Sequence, residues 1–328
     1  MILKRSNLKI PTKSIQKLIP YEELSTEGTF RNKNKFSKTY KIENLNSIEK
    51  FKNLLNKLDY RNSYQLILDS YSNKLDIYFT EIITCKNIKE ADKIFELNSS
   101  TLKSNFDLAG IKIKCLNLKE RLEFLHKFYR YKENEKFNID EKVIKRESKK
   151  LIAPYTLTFY KKHFKMNDIY GKASALRNIN SEYNFMSAFN KLKSKRIIIS
   201  INFKSINSSK ILELVEENIN LDFKTEAFIP YQFRNSIQDI RKNLIDSISR
   251  KENLFLVNCK FINISKDLDA LEKDYENMNL ILKFNDYRIH ELIYEQKQGL
   301  NDSLFLGNND LKINETLTLD ELLKLMPF

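Results

Sequence analysis

Period-two alternation marks the first well-patterned stretch of the chain. Phe36, Lys38, Tyr40 and Ile42 share one parity, and Ser37, Thr39 and Lys41 the other. Three of the four on the first face are apolar, as a half-buried strand requires. With the preceding Gly28-Thr-Phe-Arg the stretch predicts a hairpin. The period then changes. Ile48, Phe51, Leu54, Leu55 and Leu58 recur at helical spacing behind Asn46-Ser-Ile-Glu49, an arrangement like a capping box. Residues 63–71 and 75–84 predict two strands. Asn87-Ile-Lys-Glu90 repeats the helix start, with Ala91, Ile94 and Phe95 on one face. A strand over 109–115 follows. Asn117-Leu-Lys-Glu120 then leads a helix through Leu118, Leu122, Leu125 and Tyr129.

Strand, helix, strand, strand, helix, strand and a trailing helix is the order of a ferredoxin-like split β-α-β unit. The second half echoes it in topology, without a residue-level repeat. Residues 155–160 and 169–179 are strand-like, 182–192 helical, and 196–203 form the clearest strand of the chain. Ser208 or Ser209 caps a helix to about residue 219, and 232–250 predict a second. A strand over 253–262, a helix over 268–278 capped by Ser265, and a strand over 280–284 close the unit. The expected fold is therefore α+β: two tandem ferredoxin-like (split β-α-β) subdomains, the second with an inserted helical pair. Residues 1–20 form a basic arm, 21–130 the first subdomain, 131–154 a basic linker, 155–290 the second subdomain and 291–328 a tail. In that tail a helix-like run loosens at Gly299-Leu-Asn-Asp and again at Gly307. Thr318 then precedes an apolar run with Asp320 and Glu321 in its first turn, which is a helix start.

Charge adds a functional question. Lys and Arg number 57 against 43 Asp and Glu, a net charge of +14, which suits an anionic partner such as nucleic acid or a phospholipid face. A diffuse lysine excess accounts for the same number. Between residues 142 and 165 the cations Lys142, Lys145, Arg146, Lys149, Lys150, Lys161, Lys162 and Lys165 face one acid, Glu147. They are the candidate surface for an anionic partner. The run His126-Lys-Phe-Tyr-Arg-Tyr131 offers aromatic rings beside cations, as single-strand binders do. It equally fits a helix end with Phe128 and Tyr129 turned inward.

Catalytic signatures are missing. No Gly lies five positions after any of the five glycines, so there is no phosphate-cradling G-x-x-x-x-G-K-[ST] loop. His126, His163 and His290 are isolated, and no acid/base pair stands out among the carboxylates. Catalytic, cofactor and metal residues are all expected to be none. Cys85, Cys115 and Cys259 form no C-x-x-C motif, and Cys115 and Cys259, inside apolar strands, are expected to be buried thiols of a reducing compartment. No window approaches the roughly 18–20 apolar residues of a membrane span, and the start carries no signal-peptide pattern.

Four stretches carry a resemblance. They are Leu18-Ile-Pro-Tyr through Gly28-Thr-Phe to Ile42; Glu120-Arg-Leu-Glu-Phe-Leu-His-Lys-Phe-Tyr-Arg130; Pro154-Tyr-Thr-Leu-Thr-Phe through His163 to Gly171; and Gly299-Leu-Asn through Phe305-Leu-Gly307 and Thr316-Leu-Thr to Pro327-Phe328. In this order they resemble the N-terminal domain of the type IV secretion and conjugation ATPases, the CagE/TrbE/VirB family, in the form found on mobile elements of Gram-positive bacteria. The resemblance implies a cytoplasmic protein, peripheral to the inner face of the membrane. It implies inner-membrane channel subunits as partners, homo-oligomer contacts, and ATP and Mg held by a RecA-like motor that this chain lacks. The tail then reads as a lead-in to that motor. The alternative is a basic nucleic-acid-binding module.

Overall fold

The computed structural model describes residues 11–44, 48–71, 74–131, 137, 141–177, 185, 196–206, 253–311 and 313–327, with residues 48, 50 and 141–146 described by backbone alone. The expected α+β class is what they form: one 13-stranded antiparallel sheet with eight helices among the described residues. The strands are β1 (Glu23–Leu24), β2 (Phe30–Asn32), β3 (Lys35–Ile42), β4 (Ser63–Tyr71), β5 (Lys74–Thr84), β6 (Ile113–Cys115), β7 (Leu157–Phe159), β8 (Phe164–Met166), β9 (Ile169–Arg177), β10 (Arg196–Ile206), β11 (Leu254–Ser265), β12 (Arg288–Glu291) and β13 (Glu315–Thr318). The helices are α1 (Lys13–Gln16), α2 (Ile48–Asn56), α3 (Ile88–Leu108), α4 (Leu118–Tyr129), α5 (Glu141–Ile152), α6 (Leu268–Lys283), α7 (Gln296–Asp302) and α8 (Leu319–Lys324). The expected helices over 182–192, 208–219 and 232–250, and so the inserted pair, lie outside the described residues, apart from Phe185. Residues 1–10 of the basic arm do too.

The sheet runs without a break across the two halves. Its path is β1-β2-β3-β5-β4-β10-β11-β9-β8-β7, with β6 also on β3, β12 on β9 and β13 on β11. The join is β4 against β10, in register from Tyr71↔Arg196 to Tyr64↔Phe203. Tyr64, Leu66 and Leu68 of β4 and Ile197, Ile199, Ile201 and Phe203 of β10 are buried in one core, so each strand offers a buried edge to the other. The two halves have matching orders. Going outward from the join, β4-β5-β3 carries β2 and β6 on its far edge, and β10-β11-β9 carries β8 and β12. The hairpin turns β2–β3 and β8–β9 match as well. Lys33 at φ 56° and Asn167 at φ 51° supply the left-handed residue that a two-residue turn requires.

Helices cover both faces. Tyr64, Leu66, Ile199, Ile201, Val257 and Phe261 point to one face, under α2, α3, α6 and α8. Ile67, Tyr78, Ile198 and Ile262 point to the other, under α4, α5, α7 and residues 304–306. This double cover explains why Ser37 and Thr39, on the expected solvent side of β3, are both 0% exposed. Local signals place the helix starts. Asn117 and Glu120 form the expected capping box, as do Thr318 and Glu321, and Asn87 caps α3 through Glu90 N.

Several expectations need correction. Residues 280–284, expected as a strand, end α6 instead. Leu271, Met278 and Leu282 continue one buried helical stripe, and the chain turns only at Asp286, φ 61°. The fourth strand of that half is β12. The cap of α6 is Asp267 rather than Ser265. The stretch expected as linker holds α5, which buries Ser148 and Ile152 one turn apart and packs on α4. Gly299 does not loosen the chain but sits inside α7. A Cβ there would lie 2.6 Å from Leu292 Cδ1 and 2.7 Å from Ala173 Cβ, so its role is close approach of helix to sheet. Cys259 is buried as expected, but Cys115, on the short strand β6, is exposed.

Candidate functional site

The predicted cations divide between a helix and a hairpin. Lys142, Lys145 and Arg146 are on the backbone of α5, and their side chains lie outside the described residues. Lys149 is half-buried, donates to Ile19 O at 3.1 Å and sits 4.9 Å over the Tyr21 ring, and burial lowers its pKa. Lys150 pairs with Glu147 at 2.6 Å. On the β7–β8 hairpin, Lys162 pairs with Glu291 at 2.9 Å, while Lys161 and Lys165 lie over the rings of Tyr294 and Tyr170. The five described cations are thus partly engaged by the protein itself, which weakens them as a continuous anion-binding face.

Two other sites are better built, and neither was legible as a motif. The first ties the tail to the sheet. Arg121 of α4 is 0% exposed. Its guanidinium donates to Gly28 O and Ser37 O at 2.7 Å, to Ser37 Oγ at 3.0 Å and to Phe305 O, between the rings of Phe30 and Phe305. Burial pulls its pKa down. A few residues away Asp302 accepts from Lys260 Nζ at 2.9 Å and from the backbone N–H of Asp310 and Leu311 at 2.8 and 2.9 Å. Both members of that ion pair are at most 1% exposed. Gln65 donates to Asp302 O, and Gln296 exchanges hydrogen bonds with the backbone of Ala173. Residues 296–311 therefore lie across one face of the sheet. Beyond them β13 pairs with β11, and α8 buries Leu322 and Leu323, with Met326 after it, in the core of the other face.

The second site is an open cleft of about 550 Å³ along α4. Its floor is the sheet, with Asp69, Tyr71, Asp76 and Tyr78, and its wall is α4 with Glu120, Glu123, Phe124 and Lys127. Arg196 of β10 closes the inner end. It holds Asp69 through Nε at 3.1 Å and Nη2 at 2.7 Å, and lies 5.9, 5.5 and 5.3 Å from the ring centres of Tyr71, Phe128 and Tyr131. Tyr71 and Tyr131 meet edge to face at 5.6 Å. Burial, with a hydrogen bond to Tyr71, pushes the Tyr131 hydroxyl up to about 12. Around the rim, Lys41 and Lys74 share Asp76, Lys114 pairs with Glu120, and Lys127 pairs with Glu123. The run 126–131 singled out in the sequence divides here. Phe128 and Tyr129 turn inward, whereas His126, Lys127, Arg130 and Tyr131 line the cleft, His126 and Arg130 from buried positions.

Among the described residues no group of three or more His, Cys, Asp or Glu could hold a metal ion. No helix among them is long and apolar enough to cross a membrane. Compared with models of known protein families and with curated proteins, the chain matches none.

Proposed function

We propose that this chain is a non-catalytic docking and assembly domain of a type IV secretion or conjugation ATPase, peripheral to the inner face of the cell membrane. In this reading it holds a separate RecA-like motor, which binds ATP and Mg, against inner-membrane channel subunits, and contributes to oligomer contacts. Each half is a ferredoxin-like unit. The orders β6-β3-β5-β4 and β12-β9-β11-β10, antiparallel throughout, support that description.

One observation carries the functional reading. The sequence blocks behind the resemblance, distant along the chain, pack together in space. Arg121 of the second block binds Gly28 and Ser37 of the first and Phe305 of the fourth. Phe164 and Ile169 of the third share a hydrophobic cluster with Phe124 and Phe305. Blocks that close on one another in this way are what a family-wide domain core would need. The test is co-expression with the inner-membrane channel subunits of a conjugation apparatus, followed by purification in detergent. The expected result is stoichiometric co-elution, with no ATP turnover by this chain alone. Failure to co-elute, or turnover abolished by substituting a residue of this chain, overturns the reading. Duplex binding that weakens steeply with salt, without co-elution, favours the basic nucleic-acid module instead.

A further inference from the structure

We propose that the cleft beside α4 binds a nucleotide unit, a flat base with its phosphate, either free or within a single strand of nucleic acid. Three features of the cleft argue for this chemistry. The first is a platform. Tyr71 is 44% exposed, and Tyr131 stands edge to face against it, so ring surface is presented to the cleft beside Arg196. Base stacking on such rings is tolerant of sequence because every base has a π-face. The second is pre-organisation. Both rings lie beside Arg196, which is itself held by two hydrogen bonds to Asp69, so little side-chain freedom remains to be lost on binding.

The third is charge. Six cations line the cleft against four carboxylates, a surplus of two positive charges. Arg130 is buried and donates to the carbonyls of Ala153 and Lys150, so the surplus open to the cleft is carried by Lys74, which shares Asp76 with Lys41 and has a side chain 72% exposed. Lys74 is placed at the rim to meet a phosphate while the base lies on the tyrosines. The cleft volume falls within the range of small-ligand sites, roughly 300–1,000 Å³. A duplex has its bases stacked and paired inside and cannot offer one to the platform. An acidic peptide meets the cations but leaves the platform unused.

The test is fluorescence anisotropy with a labelled short oligothymidylate, competed by thymidine monophosphate, by duplex DNA of the same length and by polyglutamate. Tyr71→Ala removes an exposed ring and should weaken strand binding about tenfold. Lys74→Glu should weaken it and flatten its salt dependence. Lys103→Glu makes the same charge change on an exposed position of α3, across the sheet, and should leave affinity within about twofold. Competition by the monophosphate identifies a free nucleotide as a ligand. Competition by the single strand alone identifies the strand. Four results overturn the proposal: unchanged affinity in Tyr71→Ala, equal losses in Lys74→Glu and Lys103→Glu, duplex DNA binding as tightly as the single strand, or polyglutamate competing as well as the strand.

Discussion

Glu81 makes the stability of this protein depend on pH with a calculable sign. It lies on β5 at 2% exposure, with Oε1 accepting from Asn62 at 2.8 Å and Asn98 at 2.9 Å. Its Oε2 has no partner among the described residues. Burial raises its pKa from 4.5 to about 7, the two asparagine hydrogen bonds oppose that rise, and the Asp59 carboxylate adds to it. Tyr64 and Tyr40 also face the group, and burial keeps both phenols neutral well above the physiological range. The folded carboxyl thus holds its proton at a pH where the unfolded chain has released it. Stability is complete below about pH 4.5 and is lost as the pH rises through about 7. A move from 4.5 to about 7 corresponds to a loss of about 3 kcal/mol, at ~1.4 kcal/mol for each tenfold change in the proton equilibrium. Glu81→Gln keeps an acceptor for the two asparagines and removes the titration. Urea denaturation across this pH window should show wild type losing about 3 kcal/mol relative to the variant. Parallel profiles for the two proteins would refute the reasoning.

Two further outcomes follow from the tail. Asp302→Ala leaves the Lys260 ammonium buried without its carboxylate and strands two backbone N–H donors, so a loss of about 3–5 kcal/mol is expected in urea denaturation, with faster proteolysis of residues 303–311. Gly299→Ala forces a methyl to within 2.7 Å of Leu292 and Ala173, and should cost about 1–3 kcal/mol through overpacking, read as a lower urea midpoint with an unchanged slope.

The candidate sites were legible in unequal measure. The run 126–131 showed rings and cations in alternation, but only the rotation of α4 decides that Tyr131 faces the cleft while Tyr129 is buried. Arg121 and Lys260 each sat inside an apolar pattern, as lone cations on otherwise buried helix or strand positions. That is a visible signal, and it marks a buried pair or a carbonyl cage. The pattern names no partner, because Lys260 meets Asp302 from 42 residues away and Arg121 meets Phe305 from 184. The basic stretch 142–165 was the plainest feature of the chain and the least decisive. Lys150 meets the nearby Glu147, but Lys149, Lys161 and Lys162 are drawn to a carbonyl, a ring and a carboxylate more than a hundred residues away.

Local chemistry determined the elements. Alternation set β3, apolar runs set β4 and β10, helical spacing with Asn117/Glu120 and Thr318/Glu321 set α4 and α8, and the +14 charge set the class of ligand worth asking about. These signals act within a few residues, where backbone sterics and capping hydrogen bonds operate. Only the tertiary structure decided that β4 pairs with β10, so that two matching halves share one sheet, and that the tail crosses that sheet under Arg121 before it ends against the opposite face. Strand-edge pairing and face covering depend on which buried surfaces fit one another across long separations. That fit is a property of packed volumes and satisfied polar groups, and hydrophobic period alone does not contain it.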